Sequence, residues 1–157
     1  MVKENKDKYC IPCSFVDRAD IKELKELRKQ LSKPRILNML IWQTYYQKPL
    51  TTLCTNVLGN KTVTGIYKIT NQINNMSYVG QSKDIATRWK DHCKCGCGID
   101  TPAGNKLYTA MEEYGLWNFS FELLEECKVE ELNEKERNYI DIYDTKNNGY
   151  NSTIGNK

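Results

Sequence analysis

The sequence predicts an α/β fold of the α+β kind: a small three-stranded antiparallel sheet flanked by helices, entered through a helical N-terminal extension. Three observations carry this reading. Apolar residues recur at helical spacing through residues 1–60. Two runs rich in β-branched and aromatic residues, Thr62 to Thr70 and Met76 to Gln81, are joined by the asparagine-rich NQINN. A third such run, FSFELLEEC from Phe119 to Cys127, lies between two helical patterns. The expected organisation is a helical extension over residues 1–60 and an α+β domain over 61–157.

The first helix is expected from Asp20 to Ser32, opened by a capping box of Asp20 and Glu23, with Ile21, Leu24, Leu27 and Leu31 inward. Ile36, Leu37, Leu40, Ile41 and Tyr45 give a second helix; Leu50, Leu53, Cys54, Val57 and Leu58 give a third that stops at Gly59. QKPL between them reads as a joint, which admits a helix-turn-helix, although the third helix offers Thr51, Thr52, Thr55 and Asn56 and no Arg or Lys for reading DNA. The hairpin follows, placing Tyr67 and Tyr78 at equivalent points of its two arms. A short helix from Asp84 to about Cys93, a loop CGCGIDTPAGN, and a helix from Lys106 to Tyr114 closed by Gly115 come next. The third strand precedes a helix from Val129 to Tyr143 and the turn KNNGYN.

The 157 residues, 39% hydrophobic and 27% charged, suffice for one compact domain with a modest extension. A net charge of +3 admits nucleic acid as a partner without pointing to it. Seven cysteines, an odd number, and an opening MVKENKDKYC without an apolar stretch argue against a secreted disulfide framework. The longest apolar stretch, Ile36 to Trp42, is interrupted by Asn38 and is far too short to span a bilayer. The expectation is a soluble, cytoplasmic protein with reduced thiols and no membrane partner. Cys10 and Cys13 in CIPC, with Cys93, Cys95 and Cys97 in HCKCGCG, supply enough thiols for zinc, but C-x-C-x-C is not a usual structural zinc spacing and stoichiometric zinc is not expected.

Two helices carry chemistry. On the helix from Asp84, Ile85, Trp89 and Cys93 recur every four residues, and Arg88 and the chain's one histidine, His92, flank that packing face. On the last helix Val129, Leu132, Tyr139, Ile140 and Tyr143 form an apolar stripe in which Glu136 occupies a core position. A carboxylate on an inward face costs several kcal/mol unless paired, so its partner is Arg88 or a metal ion. The plainer alternatives are an ion pair for Arg88, a packed filler for His92 and aromatic packing for the tyrosines.

GIY at Gly65 to Tyr67, YVG at Tyr78 to Gly80, RWKDH at Arg88 to His92, Glu136 in EKERNYI and GYN at Gly149 to Asn151 together resemble the five motifs of the GIY-YIG nuclease family, in order. Val79 stands where isoleucine is usual, a conservative change on a strand. The resemblance covers roughly residues 63–153. It implies a three-stranded antiparallel sheet flanked by helices and hydrolysis of a DNA phosphodiester with one divalent cation, Mg²⁺ or Mn²⁺. By the family's roles Tyr67 would accept the proton of the attacking water or orient it, assisted by His92, with Tyr78 lining the cleft. Arg88 would hold the phosphate, Glu136 would bind the metal, and Asn151 would position its end of the site by hydrogen bonding. A single centre nicks one strand per event, so double-strand cutting would call for a transient dimer or two encounters. The competing class is a non-catalytic nucleic-acid-binding or zinc-stabilised interaction module on the same fold; intact Tyr67, Arg88 and Glu136 favour the enzyme.

Overall fold

The computed structural model describes residues 18–30 and 34–152. Helix α1 (Arg18–Arg28) begins two residues before Asp20, so Asp20 lies inside its first turn rather than capping it. Ile21 is fully buried while Leu27 is exposed; Leu31 and Ser32 fall outside the described residues.

The expected joint at QKPL is not a joint. Helix α2 (Arg35–Ile41) runs through a π-helical stretch (Trp42–Tyr46) directly into α3 (Gln47–Leu58). The Gln47 N–H reaches back five residues to the Trp42 carbonyl. Pro49 has no N–H to give Tyr45, and its ring would clash with that carbonyl in a regular helix; the wider π turn just before it relieves both demands. The wider turn also shifts the inward face, so Ile41, Trp42, Tyr46, Leu50 and Leu53 are buried while Ile36 and Leu40 face out. With no turn between the helices, the helix-turn-helix reading is excluded.

Strand β1 (Gly65–Asn71) pairs antiparallel with both β2 (Ser77–Ser82) and β3 (Phe119–Glu126), giving the order β2-β1-β3. The hairpin turn is built by asparagines. Asn71 Oδ1 accepts from the Ile73 N–H, Asn74 Oδ1 accepts from the Met76 N–H, and Asn75 takes a left-handed φ of 63°. Gly65 sits where β1 meets a bulge against β3, and a Cβ there would lie 2.1 Å from the Glu125 carbonyl oxygen.

Helix α4 (Ile85–Gly96) runs three residues past its expected end, capped by Asp84, whose carboxylate accepts from the Thr87 N–H. Helix α5 (Lys106–Tyr114) is capped by Asn105 and stopped by Gly115 at φ 90°. After β3 a 3₁₀ turn (Val129–Glu131) leads into α6 (Leu132–Tyr143), and the segment expected as a simple turn contains a short helix, α7 (Thr145–Asn148).

The sheet separates two apolar layers. One face carries Tyr67, Ile69 and Phe121 into the main core with Trp89, Cys93, Met111 and the N-terminal residues Trp42, Tyr46, Leu50 and Leu53. Ile66 and Val79, on the other face, pack under Leu132 and Ile140 of α6. The expected α6 stripe is therefore narrower than predicted: Val129 and Tyr143 are exposed, and Tyr143 instead receives the Lys68 ammonium over its ring at 4.1 Å. Among the described residues no helix is long and apolar enough to cross a membrane.

Candidate active site

The two hairpin tyrosines are not at equivalent points. Tyr67 pairs with Gly80 and Tyr78 pairs with Ile69, so the phenols are diagonal neighbours on one face, with ring centroids 6.3 Å apart. Gly80 is the space into which the Tyr67 ring lies: a Cβ there would come within 2.4 Å of the phenol oxygen. The glycine of YVG and the tyrosine of GIY are thus one packing unit across the strand pair.

Helix α4 lies over this face and brings two motif residues to the phenols. Tyr67 Oη and His92 Nε2 are 2.6 Å apart, and Tyr78 stacks edge-on to the imidazole at 5.4 Å between centroids. Tyr67 is wholly buried and His92 is 1% exposed, whereas Tyr78 is only partly buried and Arg88 is exposed. Of the six candidate site residues Arg88 alone is exposed, above a sealed Tyr67–His92 pair. Burial holds the Tyr67 phenol well above its ordinary range; the neighbouring Tyr78 adds to this, while the Arg88 guanidinium opposes it. Burial, assisted by Arg88, pushes His92 down to about 3, so its imidazole is neutral at ordinary pH.

Sequence reasoning missed two residues of this site. His92 Nδ1 lies 2.7 Å from the hydroxyl of Tyr108 on α5, a residue that reads in sequence as one more core aromatic of an amphipathic helix. Gln81 of β2 donates from Nε2 to Glu136 Oε1 at 3.2 Å and to Asn133 Oδ1 at 2.8 Å. The signal for Gln81 is strand alternation, which puts it on the face of Val79 beneath α6.

Glu136 is buried at 6% exposure, as its place in the α6 stripe implied. It approaches from the opposite face to Tyr67, yet its charge raises the Tyr78 phenol, after the larger effects of burial and Arg88. The site therefore wraps around β2, the sheet's edge strand, with phenols, Arg88 and His92 on one side and the carboxylate on the other. Asn151 holds that edge. Its Oδ1 accepts from the Val79 N–H and its Nδ2 donates to the Val79 carbonyl, both at 2.9 Å, so its side chain acts as a short strand beside β2.

Cys93 and Cys97 are buried on and just beyond α4, burial pushing Cys93 well up and Cys97 up to about 12, so both remain protonated. Among the described residues no three His, Cys, Asp or Glu side chains group to hold a metal, and Cys10 and Cys13 lie outside them.

Comparison with known proteins identifies the family. A family model described as the GIY-YIG catalytic domain matches residues 63–151. Intron-associated endonuclease 1 of Enterobacteria phage T4 is 38% identical over 92 residues, which are 55% of this chain and 36% of that protein. The chain thus spans about a third of the length of that curated relative. The catalytic domain of homing endonuclease I-TevI superimposes with a TM-score of 0.51 at 34% identity, covering 57% of this chain and 98% of that one. A mutant of the same domain gives 0.53 at 33% identity, covering 60% and 97%.

Proposed function

The chain belongs to the GIY-YIG catalytic-domain family and is homologous to named intron endonucleases, and on that premise we propose that it is a metal-dependent endonuclease hydrolysing DNA phosphodiester bonds. One observation carries the reading: an exposed guanidinium, a partly exposed phenol and a sealed Tyr–His pair converge beside an edge strand around which a buried carboxylate reaches.

Hydrolysis needs a proton acceptor for water, positive charge for the pentacovalent phosphate, and support for the departing 3′ oxygen. Arg88 fits the second need, since its planar fork can engage two phosphate oxygens and always stays charged. Its charge lies beside the phenols of Tyr67 and Tyr78. Moving to the phosphate, it would uncover the Tyr67 oxygen at the moment substrate arrives. Tyr67 would then take or orient the water's proton, with the neutral His92 ready to accept at Nε2, while Tyr78 shapes the mouth of the cleft. Asn151 is a positioning residue, acting on Tyr78 and Gly80 through the backbone of Val79 between them.

The donor set around Glu136 suits a hard divalent cation. One carboxylate beside a carboxamide is what Mg²⁺ or Mn²⁺ accepts while keeping most of its waters, and nothing in the set is soft enough to favour another metal class. When bound, such an ion would neutralise charge developing on the phosphate and the leaving oxygen.

Supercoiled plasmid incubated with the protein should convert to open circles with Mg²⁺ present and remain intact with chelator. Tight plasmid binding without nicking in either Mg²⁺ or Mn²⁺ would replace the nuclease by a non-catalytic binding module.

A further inference from the structure

We infer that Tyr108, which lies in none of the five motifs, is a positioning residue of this site: it holds His92 in the tautomer protonated on Nδ1 and leaves Nε2 bare toward Tyr67.

A neutral imidazole has one N–H, so of its two hydrogen bonds one must be donated and one accepted. Tyr67 decides which. Its oxygen stands beside Arg88, a group that can only donate, so that oxygen is an acceptor on the Arg88 side. Its own proton, sealed from solvent, has His92 Nε2 as acceptor at 2.6 Å. The histidine proton is then on Nδ1, given to Tyr108 Oη at 2.7 Å. With the opposite polarity the Tyr67 oxygen would take donors from both Arg88 and His92, and its proton would have to turn to the Tyr78 phenol in place of an imidazole acceptor at 2.6 Å.

Tyr108 is well made for the task. It lies in the first turn of α5, where its N–H is held by the capping Asn105 Oδ1 at 3.0 Å, and its side chain is 6% exposed. Its hydroxyl proton is left for the Cys95 thiol, which hydrogen-bonds this phenol beside a cleft that both residues line. Burial raises the Tyr108 phenol, so it remains a neutral acceptor throughout the ordinary pH range. A bare Nε2 lets His92 draw on the Tyr67 proton; that catalytic consequence rests on the nuclease reading, whereas the tautomer does not.

The chain contains a single histidine, so ¹⁵N-histidine labelling reports His92 alone. At neutral pH the full chain should show a protonated Nδ1 and a bare Nε2. Tyr108→Phe should shift the pair toward a mixture of tautomers and lower single-turnover plasmid cleavage about ten-fold, the worth of one hydrogen bond, with DNA affinity unchanged. Tyr67→Phe removes the group that sets the polarity, so its imidazole should also become a mixture of tautomers. A parent chain protonated on Nε2, or a Tyr108→Phe variant that keeps both tautomer and rate, overturns the inference. If the parent never cleaves, the nuclease reading fails while the imidazole signals still decide the role of Tyr108.

Discussion

Gly80→Ala tests whether the bare position opposite Tyr67 is what seats that phenol. The new methyl would lie 2.4 Å from the Tyr67 oxygen and 2.5 Å from its ring carbon Cζ, about 1 Å inside ordinary contact. The ring cannot easily retreat, since Trp89 meets it edge-on at 6.0 Å and His92 at 5.7 Å between centroids. Overpacking of this kind costs about 1–3 kcal/mol, and losing the hydrogen bond to His92 adds about 0.5–1.5 kcal/mol. A total of roughly 2–4 kcal/mol corresponds, for a chain of this size, to a melting temperature lower by about 4–16 °C. Circular dichroism melts supply the measurement, with Gly59→Ala as the control. Gly59 has φ 77° and nothing within 4 Å of a Cβ, so only the backbone term of about 1 kcal/mol applies. Adding Tyr67→Phe to Gly80→Ala removes the 2.4 Å clash but not the one at Cζ, so stability should return only in part. A Gly80→Ala chain that melts no lower than Gly59→Ala would refute the packing account.

Other perturbations address the chemistry. Glu136→Gln keeps an oxygen for the Gln81 amide to donate to, so the fold should hold by circular dichroism while Mg²⁺-dependent nicking is lost; parental cleavage would make Glu136 structural. Arg88→Lys should not restore turnover, because an ammonium cannot reproduce a two-point phosphate contact, and a parental single-turnover rate at saturating DNA would contradict it. His92 titrates near 3 in the fold against about 6.5 when unfolded, so between those values the unfolded chain binds the extra proton and stability falls as pH falls. Urea midpoints from pH 7 to 4 should drop more steeply for the parent than for His92→Gln, by up to a few kcal/mol overall; parallel slopes would show that His92 is not held neutral.

What was legible in the sequence was chemistry confined to neighbours along the chain. Helix α5 appears at the residues expected, because Asn105 and Gly115 are local stop signals on either side. The burial of Glu136 followed from helical periodicity, and the asparagine turn from side chains bonding their own backbone. Missed features depend on strand register, on partners far apart in sequence, or on a backbone turn that no residue type marks. Lys48-Pro49 reads as a break because the preceding π turn that accommodates it has no local signature. Strand alternation places both tyrosines on one face, but only the register, Tyr67 opposite Gly80, says they are offset. Tyr108 was hidden by its own amphipathic helix: a phenol that packs and a phenol that fixes a histidine tautomer occupy the same spacing.

The N-terminal helices and the catalytic face share one hydrophobic seal. The family match begins at residue 63, yet Trp42, Tyr46, Leu50 and Leu53, each 1–2% exposed, close over the same core as Tyr67 and Trp89. At about 1.5–3 kcal/mol for each buried side chain, those four represent roughly 6–12 kcal/mol, comparable with the whole net stability of a typical domain. A segment cut from this chain at the family boundary and grafted onto another scaffold would therefore arrive with its lining torn open. The transplantable unit includes the helical run from Arg35, and a chimera's linker belongs upstream of it.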